Sequence, residues 1–181
     1  MKFDKLFRTL APVAAMALAA GLTGCKDAHI SINDEDGVPL SELDMSGDPP
    51  TELVLAGPDS VVVTNGAKLG IDVEGDAKAV EALRFTLKDG ALGVMRGSDF
   101  RDLDGKQATV RVTMPAPGKI VIAGSGGIAA QSIATKGEVV IAGSGRLDVA
   151  YAEMDELDVN VVGSGTFGAA GTAKKLDLTV A

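Results

Sequence analysis

Three serines in the C-terminal third of this 181-residue chain each stand between glycines: Gly124-Ser125-Gly126, Gly143-Ser144-Gly145 and Gly163-Ser164-Gly165. A serine on a sharp glycine turn is one way to present a nucleophile, and glycine-rich turns after strands also cradle phosphates. Both chemistries need companions. A nucleophile needs a base, and the only histidine, His29, lies in a polar stretch near the other end of the chain. Ala123 stands where a G-x-S-x-G elbow around Ser125 requires glycine. The run Gly163-Ser164-Gly165-Thr166-Phe167-Gly168 fits G-x-G-x-x-G, but a dinucleotide site also needs a following helix to receive the pyrophosphate. The residues 169–173 that follow offer glycine and threonine instead. The three serines therefore read as a structural ladder, their hydroxyls able to hydrogen-bond from coil to coil.

Carboxylates offer two further chemistries. Asp99, Asp102 and Asp104 precede Gly105, and Asp34, Glu35 and Asp36 precede Gly37, so hard oxygens cluster near turns as weak calcium sites do. Neither stretch supplies a 12-residue loop with its closing glutamate, and solvated loop charge is the preferred reading. Glycoside cleavage needs paired carboxylates on one face. Asp148 is a candidate, but the positions stacked on it in the repeat are Ala129 and Gly168. Aromatic residues that stack on sugars are scarce: Tyr151 and Phe167 in the repeats, and no tryptophan. No catalytic residue, metal site or cofactor is expected.

The single cysteine has a clearer setting. Lys2, Lys5 and Arg8 form a positive stretch, residues 10–22 are mostly apolar, and Leu22-Thr23-Gly24-Cys25 follows. The apolar run is of signal-peptide length, short for a bilayer span. Its end resembles the lipobox of bacterial lipoproteins, which implies cleavage before Cys25 and lipid attachment to it; the alternative is an unmodified cysteine after an ordinary signal peptide. Two or three acyl chains anchor durably where one gives only marginal binding. With Cys25 lipidated, no thiol is left for a disulfide, and stability must come from packing. Removing residues 1–24 takes 17 basic and 25 acidic residues to 14 and 24, a net charge of −10. That sign disfavours nucleic acid and anionic lipid surfaces as partners.

The elements that would carry these residues follow from spacing. Residues 1–24 read as a lipoprotein signal peptide, 25–50 as a flexible polar tether, and 51–181 as one domain. Leu69, Ile71 and Val73 alternate with other residues, as do Val110, Val112 and Met114, a strand period of two. Asp89-Gly90 between two such segments predicts a tight hairpin. Asp76 is placed to cap a short helix over 77–83. The Gly-Ser-Gly copies recur at 19 and 20 residues, and aligning them sets Ile120 with Val139 and Val159, Ile122 with Ile141 and Val161, and Ile128 with Leu147 and Phe167. Every such column is apolar, which predicts strands stacked with these side chains inward. The expected fold is all-β, a right-handed parallel β-helix of about 19–20 residues per coil. Leu176, Leu178 and Val180 continue the columns, and the next corner would begin at position 182. An uncapped coil there predicts that the sequence continues beyond residue 181, or that the last strand ends the sheet or pairs with another subunit.

The glycine corners, the segment Val110-Arg111-Val112-Thr113-Met114-Pro115 and the hairpin Leu87-Lys88-Asp89-Gly90-Ala91-Leu92 resemble the head GIN domain family, labelled autotransporter adhesins, over residues 53–181. The resemblance implies a parallel β-helix in the bacterial envelope. The expected function is a lipid-anchored, non-catalytic scaffold for adhesion, binding or structure. Its partners would be the membrane, through the anchor, and a surface glycan or envelope protein. In a Gram-negative cell, Lys26 after the cysteine lacks the aspartate associated with inner-membrane retention, so the outer membrane is expected. The rival readings are a polysaccharide-acting enzyme on the same fold and a periplasmic factor that binds other envelope proteins.

Overall fold

The computed structural model describes residues 36–98, 103 and 105–181. The signal peptide, Cys25, His29, Asp34, Glu35, Asp99, Asp102 and Asp104 lie outside the described residues. Eleven strands run in order as β1 (Glu52–Ala56), β2 (Ser60–Asn65), β3 (Gly70–Gly75), β4 (Leu83–Lys88), β5 (Ala91–Arg96), β6 (Ala108–Met114), β7 (Lys119–Gly124), β8 (Gly127–Ser132), β9 (Lys136–Gly143), β10 (Arg146–Gly163) and β11 (Thr166–Val180). A short α-helix, α1 (Ala77–Ala82), joins β3 to β4, and a 3-10 turn spans Leu40–Glu42. The class is all-β, as expected, with one sheet curled into a half-barrel.

The curl is made by β10. Its first part pairs in parallel with β8 and its second part with β9, so the sheet divides there into two arms. One arm runs β8-β2-β6-β3 and the other β9-β7-β1-β5-β4, while β11 lies along the whole of β10. The apolar columns read from the repeats are in register. Ile122 pairs with Ile141 and Ile141 with Val161; Ile128 pairs with Leu147 and Leu147 with Phe167. Between the arms Leu53, Leu92, Ile120, Val110 and Val139 are fully buried. Each such side chain contributes about 1.5–3 kcal/mol on leaving water.

A further rung joins these columns from earlier in the chain. β1 pairs in parallel with β7 on one side and β5 on the other, and β2 lies likewise between β8 and β6. The spatial order of rungs is therefore β5/β6, β1/β2, β7/β8, with the first-made rung in the middle.

Antiparallel strands finish one end. β3 closes the first arm on β6, and β4 closes the second on β5 through the Asp89-Gly90 turn, both residues having positive φ. That is the hairpin expected, with a turn whose twist matches the strands. Asp76 caps α1, its carboxylate accepting from the Lys78 amide at 3.0 Å, and Ala79 and Ala82 enter the core with no exposed surface. Of the stretch read as tether, residues 36–50 lie on this end. Val38 forms a bridge with Phe85 of β4, and Leu40 and Leu43 pack against the core.

Candidate functional site

The corners carry out a structural task by backbone alone. Gly57, Gly124, Gly143 and Gly163 hold φ between 112 and 138°, where a Cβ is strained. A Cβ on Gly143 would also stand 2.6 Å from the Gly124 carbonyl oxygen. The corners are joined by amides. Gly126 donates to Gly57 O at 2.8 Å, Ser144 to Gly124 O at 2.9 Å and Ser164 to Gly143 O at 2.8 Å. The expected hydroxyl ladder is corrected here. Ser125, Ser144 and Ser164 point to solvent, and the rungs between corners are peptide hydrogen bonds. The reason is geometric: the glycines let backbones approach closely enough to bond directly, leaving the middle residue outside.

The Gly57-Pro58-Asp59 turn is the same corner in another sequence. Asp59 is 1% exposed and receives a forked ion pair from Arg96, at 2.7 and 2.8 Å, together with the Ala108 amide at 2.9 Å. Arg96 also donates to Lys106 O at 2.7 Å, so this carboxylate fastens the 97–107 connection onto the corner. Both charges are paired, as burial demands.

The carboxylate weighed from sequence for glycoside cleavage, Asp148, is occupied by an ion pair. Asp148 pairs with Arg146, whose hydrogen bond holds its carboxyl below the usual value, and it lies in register with Ala129 and Gly168 as read from the repeat. Tyr151 is 59% exposed and donates to Glu153 at 2.8 Å; that hydrogen bond raises the phenol's pKa. Phe167 is half-buried against the core. Among the described residues, no three His, Cys, Asp or Glu side chains gather to hold a metal ion.

Two outward features escaped sequence reading. Glu138, Asp158 and Asp177 stack on adjacent strands, with Lys119 bonded to Glu138 and Lys175 to Asp177. The spacing of 20 and 19 residues was a visible signal, but it falls between the apolar columns. The second feature is an apolar row on the other side of β5, β1 and β7, where Val54, Ala56, Met95 and Val121 form a buried cluster separate from the core. The buried Thr86, in register with Gly93 beside Val54, has a hydroxyl without a partner.

The ends of the sheet differ most. At the β3/β4 end the core is covered. On β11 the same inward columns lie open, with Leu176, Leu178 and Val180 exposed by 55, 59 and 66%.

The comparisons with known proteins agree with this geometry. No curated protein matches the chain. A crystal structure described as a "Putative lipid binding protein" from Parabacteroides distasonis ATCC 8503 is similar, with a TM-score of 0.60 at 15% identity. The likeness covers 74% of this chain and 59% of that one, so this chain spans little more than half of that protein's length. The family described as "Putative auto-transporter adhesin, head GIN domain" matches residues 49–181. This chain, whose glycine corners and stacked strands fill that region, belongs to the head GIN domain family.

Proposed function

We propose that the protein is a lipid-anchored, non-catalytic binding module of the cell envelope, its domain a right-handed parallel β-helix. The observation that carries the reading is the family match across residues 49–181, whose description is adhesin-like. The coil is supported by the parallel register of β7, β9, β10 and β11 and by corners bonded amide to carbonyl. The anchor rests on Leu22-Thr23-Gly24-Cys25. In a Gram-negative cell the anchored protein sits in the outer membrane, and its partner is a surface glycan or an envelope protein. The test is fractionation with protease shaving of intact cells. The native chain is expected in membranes and Cys25→Ala in the soluble fraction. A Cys25→Ala chain still held in membranes overturns the anchor, and a domain that shaving never releases overturns surface display.

A further inference from the structure

The β1/β2 rung carries one more inference. It lies between β5/β6 and β7/β8, so every strand it pairs with comes later in the chain. The repeats close over short distances: Ile120 and Val139 stand 19 positions apart, and Val139 and Val159 stand 20 apart. The rung closes over long ones. Leu53 and Leu92 stand 39 positions apart, and Leu53 and Ile120 stand 67 apart, as do Val61 and Ile128. Loop closure grows rarer as about the 3/2 power of length, so a contact across 67 residues forms about sevenfold less often than one across 19. The corner of this rung is also held differently. Arg96 forks onto the Asp59 carboxylate at 2.7 and 2.8 Å, and the Ala108 amide reaches the same carboxylate at 2.9 Å. Beside them Gln107 Nε2 donates to Pro58 O at 2.7 Å. The Gly-Ser-Gly corners instead bond amide to carbonyl along a stack built in sequence order.

We propose that the β1/β2 rung enters the fold last and that Asp59 is the clasp that keeps it there. The repeats of β7 to β10 stack first, and β1/β2 then joins them to β5/β6. Long-range parallel pairing of this kind is the slow part of folding a sheet. Asp59 meets Arg96 only once β1 and β5 lie side by side, since Ala56 at the end of β1 is in register with Met95, the neighbour of Arg96. The Ala108 amide is likewise brought to Asp59 by the pairing of β2 with β6. The clasp therefore closes after the folding barrier, and contacts made there slow unfolding without speeding folding. A chain with one cysteine forms no disulfide within itself. The lifetime of the closed domain then rests on late contacts such as this one, which set how long it lasts and not how fast it forms.

Stopped-flow unfolding and refolding in urea of the full-length Cys25→Ala chain, read by the circular dichroism of the strands, tests it. Asp59→Asn in that background is expected to unfold about 100-fold faster or more, because Arg96 loses its buried partner, and to refold within about twofold of the parent. The matched pair Leu55→Ala in β1 and Ile141→Ala in β9 reads the order without touching the clasp; both side chains are buried. Leu55→Ala should likewise act on unfolding alone, while Ile141→Ala should slow refolding at least about fivefold. Refolding slowed as much by Asp59→Asn or Leu55→Ala as by Ile141→Ala overturns the order, and so does Ile141→Ala that refolds at the parent rate. An unfolding rate that Asp59→Asn leaves unchanged overturns the clasp.

Discussion

One residue column links two very different ends of this molecule. Leu92 of β5, Leu53 of β1, Ile120 of β7, Val139 of β9, Val159 of β10 and Leu178 of β11 follow one another in register. Leu92 is fully buried and Leu178 is 59% exposed. The side chain and its direction are the same; only the neighbours differ. At the first end antiparallel β3 and β4, helix α1 and residues 36–50 cover the core. At the second, β11 has one flank paired with β10, and the other meets no strand among the described residues. Burial here belongs to the position in the stack, and the same apolar pattern is buried at one end and exposed at the other among the described residues.

The largest way to break the contrast acts on the covered side. Asp59→Ala leaves Arg96 nearly buried without its partner, which typically costs about 3–5 kcal/mol; urea unfolding should show the loss, and a change under 1 kcal/mol would remove Asp59 from its role as a fastener. The matched pair Leu92→Ala and Leu178→Ala comes next. The first should cost about 2–5 kcal/mol and the second less than about 0.5 kcal/mol. Equal losses would show that the column is not graded as described. Gly143→Ala tests the corners between the ends. With φ at 113° and the Gly124 carbonyl 2.6 Å from the new Cβ, a loss of about 1–3 kcal/mol is expected by thermal unfolding. Asp76→Ala removes the cap of α1 and should cost about 1 kcal/mol.

The smallest effect lies at the open end. The hydrogen bond from Lys174 holds the Asp155 pKa below 3.8. Its folded value is depressed, so any contribution exists above the unfolded pKa and is lost as pH falls through the folded one. The pair is fully exposed and screened, so stability should not move measurably. The readout is the Asp155 carboxyl titration by NMR, with a midpoint below 3.8 that returns toward 3.8 in Lys174→Ala.

Much of this was legible in the chain. The 19- and 20-residue spacing placed Ile120, Val139 and Val159 in one column, and the structure pairs them so. Asp89-Gly90 and Asp76 announced the hairpin and the helix cap because turns and caps depend on local chemistry. The β1/β2 rung was not legible. Gly57-Pro58-Asp59 lacks the serine and second glycine of its homologous corners, and Asp59 substitutes an ion pair with a residue 37 positions later. Its place between β5/β6 and β7/β8 is a long-range pairing that periodicity does not encode. The hydroxyl ladder failed for a related reason: composition located the corners, while backbone proximity decided which atoms bond across them. The outward rows of the candidate site were not legible, since they fall between the columns that repeats make conspicuous.

The contrast between the ends is tested most directly by native-state hydrogen exchange. Amides of β1 and β7 should exchange only through global unfolding, and those of β11 much faster. A β11 as protected as β7 would contradict the account.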